Sequence, residues 1–455
     1  MSSPRRSIRT RGRTGAYGFT LVELMVSLVA GLIVTIAVVG LARTATTSFY
    51  EEARLSTVEG TVRSASERLR QDLTRTAYMS TGNLHLAGLD LPVPPPALAV
   101  PYGQRISHVS GASASRYGAV TANLQGIRIR VGGSLAAADA PHGLATQNGQ
   151  NPDELILTGN FTTDDAYRGK VVGNTIVVKV FDTDGVTPSD PAVARLIAGP
   201  DPDKAVRNAF APGAQPAGAI YPALARVVDF RGCSHFVVLS AVSGTATGAV
   251  FTFAAPTDGN TPVLTPGVDA GGCGADLQEE VTINPVQTVH WYIGPTSVAL
   301  RPDPAVDDYL DKFDLYREIR DANDTAIPTP GGPQVVAEYA IDLKFGITVD
   351  DPSKAPPANR AIFDMDAAAD AINITNFTAP SGASVSGGPG PQRVRSVRYR
   401  IATRAALPDR TAPLPVAPGP PYIVRYCKDN PCKHAARVRT IMSEVALPNQ
   451  ARMTY

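Results

Sequence analysis

The chain has 455 residues, 44% of them hydrophobic and 18% charged, with a formal net charge of +1. A chain of that length and apolar content can bury a sizeable core, which excludes disorder by composition. The near-neutral charge removes any whole-molecule case for a nucleic-acid or polyanionic partner. Forty glycines and 39 prolines against 6% aromatics point to many short strands joined by polar loops.

The first 18 residues hold Arg5, Arg6, Arg9, Arg11 and Arg13, contain no acid and end on Tyr17-Gly18. From Phe19 to Ala42 the chain is apolar apart from Thr20, Glu23, Ser27 and Thr35. As a helix those residues span about 36 Å, enough to cross a hydrocarbon core of about 30 Å. The Leu, Ile and Val residues between Leu24 and Leu41 favour insertion by about 3 to 7 kcal/mol, more than one carboxylate cancels. Arginines before the span, with Glu51 and Glu52 well after it, put the N-terminus in the cytoplasm and the bulk of the chain outside.

A secretory signal cleaved near Gly40-Leu41-Ala42, or a plain anchor, would account for the apolar run alone. Neither predicts a Gly-Phe junction followed by a lone acid. Glu23 has no Lys, Arg or His in the span to pair with. Its natural counter-charge is an α-amino group freed by cleavage, on this or a neighbouring subunit, unless it lies near enough to the interface to stay hydrated.

The run Gly18-Phe19-Thr20-Leu21-Val22-Glu23-Leu24-Met25 after a basic leader resembles the class III signal of type IV prepilins. The resemblance implies that a prepilin peptidase cuts between Gly18 and Phe19 on the cytoplasmic side and methylates the new terminus, Phe19. It also implies that Glu23, fifth in the mature chain, sets the register of packed helices during assembly.

Beyond the span, Leu55, Val58, Val62, Ala65, Leu69, Leu73 and Ala77 follow at steps of three or four, one helical stripe. Glu59 with Arg63, and Arg68 with Asp72, are spaced for surface ion pairs. Gly82-Asn83 and the proline run from Pro92 to Pro96 end the pattern, which predicts one helix from about Phe19 to about Met79. Gly31 and Gly40 are weak points in it or places of close helix contact.

The strand signals that follow are Ile127–Val131, Leu155–Leu157, Ile176–Phe181, Phe236–Leu239 and Val250–Phe253. With no long helical stripe between them, antiparallel sheets are expected. Leu69 to Met79 is similar to PilW-type minor pilins. So, in order, are Ser234–Val242, His290–Ile293, Phe313–Glu318, Val336–Phe345, Val394–Arg404 and Val445–Asn449. Val186–Pro222 and Asp350–Gln392 are insertions, expected to be loops.

Cys427 and Cys432 bracket a turn-forming Lys-Asp-Asn-Pro and are expected to form a local disulfide, leaving Cys233 to pair with Cys273. Two other pairings are formally open. Cys233 with His235, and Cys427 and Cys432 with His434, lack zinc-ligand spacing. Asp182-Thr183-Asp184-Gly185 begins like a calcium loop but lacks its distal acid. Asp307, Asp308 and Asp311, flanked by Asp303 and Asp314, are weak calcium candidates that a solvated acidic loop explains equally well. Neither a nucleophile motif nor a phosphate loop occurs, and the six histidines are scattered singly, so neither catalysis nor a cofactor is expected.

The expected architecture is α+β and pilin-like, a long N-terminal helix packed on an antiparallel sheet domain with long loops. Residues 1–18 are the leader, 19–42 the membrane half of the helix, 43–80 its amphipathic half and 81–455 the exported β-rich domain. The resemblance implies a minor pilin that primes and caps a type IV pilus. Its partners would be other minor pilins, the major pilin, prepilin peptidase and the inner-membrane assembly platform. A J-type pseudopilin of a type II secretion system, or a pilus-tip adhesin, shares the N-terminus.

Overall fold

The computed structural model describes residues 20–80, 124–133, 151–180, 190–212, 223–228, 234–254, 280–296, 312–321, 326–327, 333–350, 360–379, 390–407, 425–427 and 435–451. The chain divides into two compact units, Met1–Thr57 and Val58–Tyr455.

One helix, α1 (Leu21–Thr74), fills the described part of the first unit and enters the second. The second unit then runs through β1 (Ile127–Arg130), β2 (Glu154–Gly159), β3 (Tyr167–Val172) and β4 (Thr175–Lys179). Helices α2 (Pro191–Ile197) and α3 (Pro202–Phe210) precede β5 (Ala223–Val228), β6 (Ser234–Thr245), β7 (Gly248–Phe253), β8 (Glu280–Pro295), β9 (Phe313–Arg320), β10 (Gln334–Ala337), β11 (Ala340–Asp350) and β12 (Arg360–Phe363). Helix α4 (Ala368–Thr378), β13 (Val394–Arg404), β14 (Arg425–Cys427), β15 (Ala435–Ala446) and α5 (Pro448–Ala451) complete it. Among the described residues every strand pairing is antiparallel, so the result is a long N-terminal helix with an antiparallel β domain, α+β as expected.

Strand β8 is the spine of the domain. Its first half pairs with β3 on one side and β5 on the other, and β3–β4–β7–β6–β5 returns to it, closing a six-stranded barrel. Closure leaves these strands no free edge there. Ile176, Val178, Val227, Val237, Leu239, Phe251 and Ile283 form the barrel core at 0–1% exposure. The second half of β8 lies between β2 and β9 in a sheet of order β1-β2-β8-β9-β10. A further sheet has the order β12-β11-β13-β15-β14. A second core joins these two sheets to α1 through Ala65, Leu69 and Leu73.

Three expectations are corrected. Val186–Pro222 is not simply a loop: Asp190-Pro191 and Asp201-Pro202 each start a helix. Asp190 caps by accepting from the Ala192 amide (2.8 Å) and Asp201 from that of Lys204 (2.9 Å), while each proline takes the position where no N–H is needed. Phe210 then packs against Tyr167 and Phe251 in the barrel core, at centroid distances of 5.6 and 4.3 Å.

Asp350–Gln392 likewise contains β12 and α4. The Thr378 hydroxyl accepts from the Ile129 amide (3.1 Å), so α4 closes the edge of β1. Within Val336–Phe345 a turn at Glu338-Tyr339, with Tyr339 at φ +55°, separates β10 from β11. Finally, α1 ends at Thr74 rather than Met79, for reasons given below. Val394–Arg404 coincides with β13.

Candidate functional site: the exposed helix and its anchorage

In the first unit, α1 is long and apolar enough to cross a membrane, and its large side chains from Leu21 to Leu41 are exposed. Its start is set by a reciprocal pair. The Glu23 carboxylate accepts from the Thr20 backbone amide and from the Thr20 hydroxyl, both at 3.1 Å, and the Thr20 hydroxyl accepts from the Glu23 amide at 3.2 Å. That is a capping box, Thr-x-x-Glu, which satisfies two of the helix's orphan N–H groups. The sequence carries this signature at Thr20-Leu21-Val22-Glu23, but reading Glu23 only as a membrane acid passes over it. Glu23 therefore has a partner within the uncleaved chain. Ser27 and Thr35 return their hydroxyls to the carbonyls four residues back, at 2.7 and 2.8 Å. Gly18 and Phe19 lie outside the described residues.

In the second unit, the residues from Val58 to Ser80 are anchored to the sheets. The predicted stripe holds: Val62, Ala65, Leu69, Leu73 and Ala77 are 0–2% exposed. The Glu59–Arg63 pair forms, and Glu67 pairs with Arg70 at 2.8 Å. Asp72 does not face solvent with Arg68. It is 3% exposed and accepts from Trp291 Nε1 (3.0 Å) and from Arg317 Nε (2.7 Å) and Nη2 (3.3 Å). Trp291 on β8 and Arg317 on β9 are direct cross-strand partners, so one carboxylate ties the helix to two strands. A buried charge of this kind is tolerable only because every oxygen has a donor.

The C-terminal end of α1 is fixed by backbone capture. The Thr74 carbonyl accepts from Asn449 Nδ2 (2.9 Å), so the closing Val445–Asn449 segment caps the helix. The Ala77 amide donates to the Thr158 carbonyl, the Asn160 amide to the Tyr78 carbonyl, and Asn284 Nδ2 to the Met79 carbonyl, at 2.7–2.9 Å. Making those bonds puts Ala77 and Met79 at φ +59° and +49°, left-handed values that terminate the helix five residues before the end read from the pattern. Gly159 is needed beside this segment, since a Cβ there would run into the Arg75 carbonyl. Higher on the helix, Tyr399 Oη on β13 donates to the Ser66 carbonyl (3.0 Å) and lies 2.8 Å from its hydroxyl.

Of the other candidates, Asp307, Asp308 and Asp311 lie outside the described residues, as do Cys233, Cys273 and Cys432; Cys427 ends β14. Asp314 is 1% exposed and occupied, accepting from the Thr296 hydroxyl (2.7 Å) and the Tyr339 amide (3.1 Å). Among the described residues no group of three His, Cys, Asp or Glu is placed to hold a metal ion.

Residues 13–39 match the prokaryotic N-terminal methylation motif. That motif, at the head of an exposed apolar helix, indicates a type IV pilin-like or pseudopilin-like protein. The motif implies processing by prepilin peptidase and association with pilus or secretion machinery. No curated protein and no solved structure matches the chain.

Proposed function

We propose that this chain is a PilW-type minor pilin with a pilin-like fold, which primes assembly of a type IV pilus and caps it. The leader directs insertion as a single inner-membrane span with the β domain outside the cytoplasm. Cleavage after Gly18 leaves Phe19 as the methylated terminus. The exposed helix then packs laterally against other minor pilins and the major pilin at the assembly platform. The chain works as a structural subunit, with neither catalysis nor a cofactor.

The observation that carries this reading is a helix whose exposed apolar stretch, Leu21–Leu41, holds a single acid, Glu23, and starts inside the matched motif. The size of the β domain supports a place at the tip. A six-stranded barrel added to two sheets is bulky for a subunit repeated along a thin filament. The second reading, a pseudopilin of a type II secretion system, rests on the same motif. The subunits that co-isolate with the chain separate the two. An adhesin reading that treats Val186–Pro222 as a detachable face has less support, because Val206 and Phe210 belong to the barrel core.

Replacing Glu23 with Ala is expected to leave leader cleavage intact while fibre number, counted by electron microscopy, falls at least tenfold. The minor-pilin partners should no longer co-isolate. Unchanged fibres and partners would overturn the assembly role.

A further inference from the structure

Strand β15 is paired along one side by β13 without a bulge, from Arg404 opposite Val438 to Ser396 opposite Ala446. At the two ends of this ladder the Ala405 amide donates to the Arg437 carbonyl and the Leu447 amide to the Arg395 carbonyl. In an antiparallel ladder the N–H and C=O of one residue point to the same side, and successive residues alternate. The odd-numbered residues of β15 therefore serve β13, while Thr440, Met442, Glu444 and Ala446 turn their backbone groups to the opposite edge. On that side β14 covers only Ala435 to Arg437. Among the described residues no strand pairs with the edge beyond it.

The preceding residues of the chain are unsuited to complete this ladder. The register of β14 sets Arg425 opposite Arg437 and Tyr426 opposite Ala436. Carried back along that register, Pro420 falls opposite Met442 and Pro418 opposite Glu444. Proline has no N–H to give a ladder. The edge also lacks the usual devices against pairing: β15 contains no bulge, lysine or proline, and Thr440-Ile441-Met442-Ser443 is uncharged. By contrast, α4 closes the edge of β1 and the barrel closes on itself.

We propose that the outer edge of β15, from Thr440 to Ala446, is a docking strip for an extended segment of a different pilin-like subunit, which adds a strand to this sheet. Main-chain hydrogen bonds supply the affinity and alternate side chains the selectivity. The strip is about 20 Å long, the length of an ordinary strand. Thr440, Met442 and Glu444 share one face, where Met442 is 49% exposed and Glu444 is exposed. The incoming strand accordingly brings an apolar side chain against Met442 and a Lys or Arg against Glu444.

A second copy of this chain does not suit the strip. Tyr399, opposite Ser443, reaches Ser66, and Asn449 reaches Thr74, so the end of α1 and β15 run in the same direction. Two β15 strands paired antiparallel about a two-fold axis would set these helix segments in opposite directions. Subunits that pack their helices side by side in a growing fibre share one direction, so the choice of a different subunit rests on the function proposed above.

The test uses the full chain in membranes of intact cells, with a photo-cross-linking phenylalanine analogue placed at Ala446 and, as a control, at Ile372, which is exposed on α4. The Ala446 probe should give an adduct with a second protein that itself begins with a basic leader, a glycine junction and an apolar span; the Ile372 probe should give none. Met442→Pro removes an outward N–H, and Met442→Lys places a charge on the edge, while both leave the β13 ladder intact. Each should lower the adduct yield roughly tenfold with Trp291 emission unchanged, and Met442→Lys serves alone if Met442→Pro does not fold. The proposal is overturned by no adduct, by an adduct between two copies or with residues 408–424, by a partner without such an N-terminus, or by a yield that neither variant changes. Loss of fibres in Glu23→Ala with no adduct at Ala446 removes the docking strip and leaves the subunit role standing. An adduct at Ala446 with fibres unchanged in Glu23→Ala does the reverse.

Discussion

Replacing Asp72 with Ala should lower the stability of the β domain by about 3 to 5 kcal/mol, because it strands a buried charge rather than merely deleting a contact. The Arg317 side chain is only 7% exposed and loses its carboxylate, and the Trp291 N–H loses its acceptor in the same step. Urea unfolding measures the loss. Trp291, the only tryptophan in the chain, also reports it directly, since its fluorescence should shift to the red as water reaches the junction. Asp72→Leu combined with Arg317→Met should recover most of the stability, because apolar side chains of similar size can replace a buried ion pair at little cost. A loss under about 1 kcal/mol in Asp72→Ala, the range of an exposed pair, would place this carboxylate at the surface after all.

Trp291→Ala should be comparably severe, about 3 to 5 kcal/mol, for a different reason. Trp291 is fully buried and sits in the core that joins α1 to both sheets, so its removal leaves a cavity and takes one donor from Asp72. Circular dichroism during urea unfolding gives the value. Combined with Asp72→Ala the two losses should fall short of their sum by about 0.5 to 3 kcal/mol, since the residues share one hydrogen bond. Strict additivity would mean that the bond carries nothing.

The parts of this fold that sequence reading recovers are those with a long local signal. The apolar run from Phe19 to Ala42, the stripe from Val62 to Ala77 and the alternating Ile127-Arg128-Ile129-Arg130 each declare their structure within one element. Asp72 is hard to read from the pattern because Arg68 four residues earlier offers a ready surface partner. Yet Leu69, Asp72, Leu73 and Thr76 are all buried and stand at i, i+3, i+4 and i+7, so an acid on that row signals a buried partner. The Asp-Pro starts of α2 and α3 are also local, but glycine- and proline-rich surroundings hid them.

Barrel closure had no such signal. It depends on β3 and β5 meeting β8, whose partners lie more than fifty residues away in sequence, and pairing over that separation is not written in any window. Likewise nothing local announces that Asn449 reaches the end of α1. At the candidate assembly site the reverse holds. The apolar span and its single acid, Glu23, are legible, and what the structure adds is the capping partner, Thr20.

Assembly as proposed here requires that the chain be processed as its first forty residues imply. Mass spectrometry of the N-terminal peptide of protein purified from the membrane decides this. The expected result is a mature chain that begins at Phe19 and carries one methyl group on its terminal nitrogen. A chain beginning at Arg43, or one that keeps its arginine-rich leader, would contradict it.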